Sequence, residues 1–345
     1  MSVFATSTNR VKGDRQTVLL TGAGGFLGGY LSRALVASGF DVTGVDVAWR
    51  SDALIDNRFT AVTGDVKDTS WLRAQLASVD YLIAAAALVG GVSYMDSHPF
   101  DILAENDRIT ASTCEAAMCA RRTGAPLKQV VYISSSMVFE RATQFPTIEG
   151  AQLKLPPPST TYGFQKLAVE YYARAAWEEY GVPYTIIRPF NCVGVGDRPG
   201  WEERDPHGKY LARSHVLPDL AWRVTSGSTP LILVGSGLQT RTFLHAKDFA
   251  AAVSNSIGLE CALNEDYNIG GGRRVSIRQL AELVWFRAHG STDDLVLEVS
   301  KAPPKDVTDR APDVSKARQA LGLIETVSLE ETIDEVLEEV RKYHS

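Results

Sequence analysis

Cysteine is scarce in this chain, with four in 345 residues, and no two of them stand at the CxxC spacing of a zinc or redox motif. The six histidines are scattered. The sequence therefore indicates neither a metal site nor a disulfide framework, and we expect four reduced thiols.

Positive charge is also in short supply, since the formal net charge is -6. This balance excludes the basic surface that nucleic-acid binding needs. No apolar run approaches the length of a membrane span, so no membrane partner is expected. Residues 1–16 are polar and lack the apolar centre of a signal peptide, so we expect a disordered tail on a cytoplasmic protein.

A glycine-rich turn, Gly22-Ala-Gly-Gly-Phe-Leu-Gly28, stands near the amino end of the chain. It follows a short strand pattern over residues 17–21 and precedes apolar residues at helical spacing over residues 26–38. A strand, a glycine turn and a helix in this order are typical of a site that binds the pyrophosphate of a dinucleotide.

Three of the four glycines in this motif have different structural roles. Gly22 lets the chain turn tightly, Gly25 lets the backbone approach the pyrophosphate, and Gly28 lets the helix pack close on the strand. The amino end of the helix, at Phe26 and Leu27, faces the anion with N–H groups that have no acceptor within the helix.

A carboxylate, Asp46, ends the second apolar run about 20 residues beyond the glycine turn, where the adenosine ribose is bound in such folds. Asp46 can accept from both ribose hydroxyls and would repel a 2'-phosphate. We therefore predict NAD rather than NADP, although the nearby Arg50 keeps NADP open.

Strand-like runs alternate with helical runs as far as residue 190, which is the pattern of a parallel sheet with helices on both faces. Strands are expected over residues 17–21, 41–46, 59–63, 81–86, 129–133 and 184–188. Helices are expected near residues 69–78, 101–122 and 162–180. The sequence thus predicts a doubly wound Rossmann α/β fold, with ligands at the carboxyl ends of the strands.

A second, smaller α/β lobe is expected beyond residue 190, where the alternation lapses and Gly, Pro and charged residues increase. The helical pattern over residues 247–256 can return to the sheet, so the two lobes are predicted to be interleaved. We assign residues 17–190 to the nucleotide-binding domain with a return over 240–262, and the substrate lobe to residues 191–239 and 263–345.

Tyr162 and Lys166 lie one helical turn apart, so their side chains can point to the same side. A free phenol has a pKa of about 10, and the lysine charge together with the positive nicotinamide of NAD is expected to lower it. The phenolate can then take a proton from a substrate hydroxyl while the nicotinamide takes a hydride from the same carbon. A serine from Ser134–Ser136, at the end of the fifth strand, can donate to the oxygen of that carbon.

With these motifs together, the chain resembles the extended short-chain dehydrogenase/reductase family, in particular its nucleotide-sugar epimerases and their relatives. The resemblance runs from Val18 to about Leu323. It is carried by residues 21–28, 64–66, 132–139 and 162–166, and in the second part of the chain by residues 188–191, 235–243 and 267–270.

This resemblance implies a set of site residues. The catalytic residues would be Ser135, Tyr162 and Lys166. Besides the glycine turn, Asp46 and the catalytic Tyr and Lys, the NAD contacts would be Asp65 and Val66 at the adenine and Ala85, Ala86, Ala87, Asn106 and Pro189. A nucleotide-diphosphate sugar would be bound by Gly91, Val92, Ser136, Asn191, His215, Val216, Arg241 and Arg310. Two copies of the chain would pair through helices 101–122 and 162–180 into a homodimer.

Ser136 and Met137 narrow the range of reactions that the resemblance implies. Dehydratases of this family carry an Asp-Glu pair after the catalytic serine, decarboxylases carry a glutamate, and 3,5-epimerases and 4-keto-sugar epimerase-reductases carry a cysteine. This chain has Ser136 and Met137, neither of which shuttles a proton as those groups do. We therefore predict an NAD-dependent C4 epimerase that works through a 4-keto sugar.

Two alternatives stay open. Residues 88–92 and 214–218 look more like the GDP-sugar 3,5-epimerases and 4-keto-sugar reductases, and His215 falls where those enzymes hold their acid. The other alternative is a binding protein that senses NAD(H) without turnover. Relatives of that kind usually lose the tyrosine or the lysine, and this chain has both.

Overall fold

The structure is a computed structural model that describes residues 15–50, 54–197, 215–301 and 307–344. Most of the tail expected at residues 1–16 lies outside these ranges. Within them, no helix is both long enough and apolar enough to span a bilayer. The same ranges contain no group of three or more side chains suited to hold a metal ion, and the four cysteines are free thiols.

Strands and helices follow one another along the chain. The strands are β1 (Thr17–Thr21), β2 (Asp41–Asp46), β3 (Phe59–Thr63), β4 (Tyr81–Ala84), β5 (Gln129–Ile133), β6 (Tyr184–Phe190), β7 (Cys192–Val193), β8 (Leu231–Val234), β9 (Thr240–Thr242), β10 (Leu244–His245), β11 (Glu265–Gly270), β12 (Arg274–Ser276), β13 (Leu297–Ser300) and β14 (Asp309–Arg310). The helices are α1 (Phe26–Ala37), α2 (Thr69–Gln75), α3 (Val92–Ser97), α4 (Pro99–Arg122), α5 (Thr161–Tyr180), α6 (Val216–Thr225), α7 (Ala246–Ser256), α8 (Ile277–His289), α9 (Ser315–Leu321) and α10 (Leu329–His344).

Seven parallel strands form the central sheet in the order β11-β6-β5-β4-β1-β2-β3. The predicted doubly wound sheet is confirmed, and all six expected strands are present. The strand β4 ends two residues earlier than expected because the amides of Ala85 and Ala86 both turn to the Thr21 hydroxyl, at 3.1 Å each. The strand β6 runs two residues further because β11 pairs along it as far as Phe190.

Helices cover both faces of this sheet, which is why its strands are almost continuously apolar. On one face α1, α7 and α9 pack against the sheet through residues that include Leu35, Phe249 and Leu321. On the other face α2, α4 and α5 pack through residues that include Leu72 and Ala117. The helix expected over residues 247–256 therefore does return to the nucleotide-binding part of the chain.

Residues 265–270, which the sequence assigned to the second lobe, belong to the central sheet as its edge strand β11. Polar residues obscure this strand in the sequence, and each of them has a partner in the fold. The Asn268 amide group donates to the Thr147 carbonyl at 3.1 Å, and Asp266 forms an ion pair with Arg188. Tyr267 and Ile269 supply the apolar contacts.

The second lobe has its own hydrophobic core between α6, α8 and α10, with contributions from β8 and β12. The three helices supply this core with apolar side chains at helical spacing, among them Leu217, Leu220, Val284, Ile333 and Leu337. Two small sheets complete it: β13 pairs with β8, and β9 lies between β12 and β14. The lobe therefore places β9 and β14 beside the carboxyl end of β6, where Asn191 bonds to Thr242.

Candidate active site

The backbone of the glycine turn after β1 leaves no room for a side chain at Gly22 or at Gly28. Gly22 has a φ of +74°, and a Cβ there would lie 2.8 Å from the Ala86 nitrogen. A Cβ on Gly28 would lie 2.0 Å from the Gly22 carbonyl oxygen. The tight turn and the close helix packing expected from the sequence are thus both seen in the backbone.

Gly25 differs from these two, because its own chain does not require a glycine there. Its backbone is extended, and a Cβ would meet only the Gly22 oxygen, at 3.3 Å. The missing side chain instead leaves room in front of Phe26 and Leu27, the first residues of α1, whose amides have no acceptor within the helix. This arrangement fits the pyrophosphate of a dinucleotide.

Asp46 stands at the end of β2, next to the glycine turn. Its carboxylate accepts from the Gly24 amide at 3.0 Å and from the Ala48 amide at 3.2 Å. A Cβ on Gly24 would lie 2.2 Å from the Ala48 oxygen. The need for glycine at position 24 could not be predicted, because its contact partners lie more than 20 residues away. Arg50 donates to the Gly196 carbonyl at 2.7 Å.

The loops after β3 and β4 carry the other residues expected at the dinucleotide. Asp65 accepts from the Lys67 amide at 2.9 Å, and the carbonyl of the buried Val66 accepts from Ser112 at 2.8 Å. Asn106 bonds to both the amide and the carbonyl of Leu88, at 2.7 and 2.9 Å. Its observed contacts therefore brace the loop that follows Ala85, Ala86 and Ala87. Pro189 pairs with Ile269 near the end of β6.

Tyr162 and Ser135 are brought together from α5 and the end of β5. The Thr160 hydroxyl accepts from the Gly163 amide at 3.1 Å, which fixes the start of α5 and places Tyr162 in its first turn. The Ser135 hydroxyl lies near enough to the Tyr162 phenol to act on its pKa, and it accepts from the Met137 amide at 3.2 Å. Their roles as a base and its partner hydroxyl stay a prediction.

Lys166 lies one turn further along α5. Its ammonium donates to the Ile133 carbonyl at 3.0 Å and lies 5.9 Å from the centroid of the Tyr162 ring. Lys166 and Tyr162 are both buried. The lysine, the tyrosine and the end of β5 therefore form one compact unit.

Burial has the largest effect on the pKa values of Tyr162 and Lys166. Burial raises the pKa of Tyr162, and Ser135 and the charge of Arg310 oppose that shift without cancelling it. Burial also lowers the pKa of Lys166 to about 8. The expectation that Lys166 and the positive nicotinamide together lower the pKa of Tyr162 concerns the protein with NAD bound, and it stays a prediction.

The ring of Tyr162 packs in a small apolar cluster with Tyr94 and Ile102. Leu88, Met95 and Met137 pack against the same cluster. Gly91 and Val92 open α3 in this segment, and their role in substrate binding stays a prediction. Ser136, between Ser135 and Met137, is buried.

Two arginines lie side by side where a diphosphate is expected. The strands β9 and β14 pair in parallel with Arg241 directly opposite Arg310, so the two side chains leave the same face. Asn191 has a φ of +43° and donates from its side chain to the Thr242 carbonyl at 3.0 Å. Two guanidinium groups next to an amide suit a diphosphate.

His215 immediately precedes α6, whose first residue is Val216. Its Nδ1 lies 2.9 and 3.1 Å from the two carboxylate oxygens of Asp197. The charge of Asp197 raises the pKa of His215, while Arg310 lowers it. Arg310 also lowers the pKa of Tyr162, so its charge acts on both side chains. The sequence did not reveal Asp197, which stands 18 residues earlier in the chain.

The model of the NAD dependent epimerase/dehydratase family matches residues 18–270. This chain belongs to that family. Membership makes NAD its cofactor, in agreement with Asp46 at the end of β2. The matched segment contains the glycine turn, Asp46, Ser135, Tyr162 and Lys166.

The chain is similar to several enzymes of this epimerase/dehydratase family. It is 32% identical over 280 residues to a putative GDP-L-fucose synthase 2 of Oryza sativa subsp. japonica, covering 79% of this chain and 73% of the relative. It is 25% identical to a GDP-mannose 3,5-epimerase 1 of Oryza sativa subsp. indica, with 92% and 80% covered. The structure of a UDP-glucuronic acid 4-epimerase from Bacillus cereus with UDP-glucuronic acid and NAD shares the fold, with a TM-score of 0.79, 23% identity and 95% and 100% covered.

Asp46 is expected to select NAD over NADP. We expect Asp46→Asn to lower the preference for NAD by about tenfold, because the amide accepts more weakly from the ribose and no longer repels a 2'-phosphate. Calorimetric titration of the protein with each dinucleotide measures this ratio. Asp56→Asn, in the loop before β3, is the matched control and should leave it unchanged. An unaltered ratio in Asp46→Asn would show that another group selects the cofactor.

Proposed function

We propose that this member of the epimerase/dehydratase family inverts C4 of a nucleotide-diphosphate sugar through a 4-keto intermediate. Tyr162 takes the proton from the C4 hydroxyl, Ser135 holds the same oxygen by a hydrogen bond, and Lys166 keeps the end of β5 and the phenol in register. NAD, when bound, supplies the hydride acceptor and donor. Arg241, Arg310 and Asn191 hold the diphosphate so that the sugar can turn about it.

The observation that carries C4 chemistry is the side chain beside Tyr162. Met137 packs against the cluster that contains the phenol, and a thioether has no proton to exchange with a carbon next to the keto group. Inversion at C4 needs only the proton of one hydroxyl, which Tyr162 can carry with Ser135 beside it. The site is therefore equipped for C4, and Met137 offers no acid or base for C3 or C5.

One observation favours a second candidate function. His215 bonds to Asp197 at 2.9 Å, and the charge of Arg310 acts on both His215 and Tyr162, so His215 is a second group that could donate a proton. A GDP-sugar 3,5-epimerase or a 4-keto-sugar reductase could use such an acid. The relatives with those activities add support to this alternative.

We further propose a homodimer through α4 and α5. Phe100, Phe164 and Tyr171 are 75%, 47% and 58% exposed on these helices, which is unusual for large aromatic side chains. The small residues Ala117 and Ala173 of these two helices are buried against the chain's own sheet. The aromatic residues are therefore the better candidates for the contact.

Proton NMR in deuterated water tests the proposed function. The purified protein is incubated with UDP-, GDP-, CDP- and dTDP-linked hexoses and hexuronic acids. We expect a C4 epimer of one of them, with no solvent deuterium in the sugar. Deuterium at C3 or C5 would instead favour the second candidate as an epimerase, and net consumption of NADH or NADPH would favour it as a reductase.

A further inference from the structure

The turn after β7, residues 194–197, is tied to three separate parts of the molecule. The Gly196 amide donates to both carboxylate oxygens of Glu339 on α10, at 2.9 and 2.8 Å. The Gly196 carbonyl accepts from Arg50, beyond β2, at 2.7 Å. The Tyr30 hydroxyl on α1 donates to the Val195 carbonyl at 3.2 Å. These hydrogen bonds therefore fix the position of the turn relative to both lobes.

Steric limits in the same turn reinforce these bonds. Gly196 has a φ of +93°, and a Cβ there would lie 2.9 Å from a guanidinium nitrogen of Arg50. A Cβ on Gly194 would lie 2.9 Å from the Tyr30 hydroxyl. The Asp197 amide donates to the Gly194 carbonyl at 3.2 Å and closes the turn. The backbone that carries Asp197 therefore cannot shift easily.

The Asp197 side chain is 8% exposed, whereas the His215 side chain is 46% exposed. Both carboxylate oxygens of Asp197 lie within hydrogen-bond distance of Nδ1 of His215. A carboxylate at Nδ1 fixes the tautomer and the ring orientation, and it leaves proton transfer and donation to Nε2. The buried acid therefore controls which nitrogen of the partly exposed ring meets a ligand.

Two charged groups act on His215 from different elements. Asp197 raises its pKa and Arg310 opposes that shift, and the net shift is upward. Arg310 lies on β14 opposite Arg241, at the expected diphosphate position. A protonated imidazole there would add a third donor next to the two guanidinium groups.

We propose that Asp197 is a positioning residue that holds the His215 imidazole so that its Nε2–H donates to an oxygen of the bound nucleotide sugar. The ligand in this proposal rests on the proposed function, whereas the pairing of the two side chains does not. Arg50, Tyr30 and Glu339 hold the turn that carries Asp197, so these three residues also set the geometry of His215.

The pairing is tested by 15N NMR of the histidine side chains in the full-length protein. The His215 resonance is identified by its loss in His215→Gln. In the unmodified protein we expect His215 to titrate above about 6.5, with both ring nitrogens protonated below that pKa. In Asp197→Asn we expect its pKa to fall by about one unit. Asp219→Asn, which removes an acid of α6 paired with Arg223, is the matched control and should leave the pKa unchanged.

Titration of His215 at or below about 6.5 in the unmodified protein would overturn the proposal, even if Asp197→Asn does not fold. An unchanged pKa in a folded Asp197→Asn protein would overturn it as well. The role toward the ligand is measured with the nucleotide sugar that turns over. Its KM is expected to rise about tenfold in Asp197→Asn, equivalent to one hydrogen bond to a charged group, with a smaller change in kcat. If no sugar turns over, the proposed function fails while the NMR result on the pairing stands.

Discussion

Tyr162→Phe is expected to lower turnover by about 10²- to 10⁴-fold, because it removes the phenol oxygen that accepts the C4 proton in the proposed mechanism. The protein should still fold, since the ring keeps its contacts with Tyr94 and Ile102. It should also still bind NAD, because the glycine turn and Asp46 are untouched. The comparison requires initial rates together with the content of bound dinucleotide.

The matched control for this change is Tyr172→Phe, ten residues along the same helix. Tyr172 is 40% exposed, so the loss of its hydroxyl should leave turnover within about twofold of the unmodified protein. Undiminished turnover by Tyr162→Phe would mean that the base is a different group. An equal loss in both variants would point to a fault in α5 rather than to chemistry.

Glu170→Ala is expected to cost about 3–5 kcal/mol of the free energy of unfolding. Glu170 and Arg188 are both fully buried, and the carboxylate receives the guanidinium at 2.6 and 2.8 Å. It also accepts from Ser134 at 2.8 Å and from Gln152 at 3.1 Å. Without Glu170, Arg188 keeps only part of its charge compensation, from Asp266. Urea unfolding followed by circular dichroism measures the loss.

Glu178→Ala serves as the control, because Glu178 is an exposed glutamate of the same helix. Its removal should change the free energy of unfolding by less than about 0.5 kcal/mol. A loss below about 1 kcal/mol in Glu170→Ala would contradict the account of a buried ion pair that joins β6, β11 and α5.

The part of the fold and the site that could be predicted depends on local sequence signals. The glycine turn, the strand before it and the helix after it lie within about 20 residues, and their order already defines the motif. The Tyr162 and Lys166 pair follows from helical spacing alone. Strand β5 could be predicted because all five of its residues are apolar or buried.

What the sequence did not reveal depends on partners far away along the chain. The edge strand β11 looks polar until Asp266 and Asn268 find Arg188 and Thr147 across the fold. Asp197 stands in a segment rich in charged residues, and only its 2.9 Å bond to His215 in the structure distinguishes it from them. The pKa of Tyr162 could not be predicted either, because it depends on how deeply α5 buries the phenol.

The most direct test of C4 inversion uses the nucleotide sugar that turns over, labelled with deuterium at C4, in ordinary water. Mass spectrometry and proton NMR then follow the label into the epimer. Hydride transfer from and back to the same carbon predicts that the inverted product keeps its deuterium at C4 and gains no hydrogen from water at C3 or C5. Loss of deuterium from C4, or an epimer inverted at C3 or C5, would contradict the account.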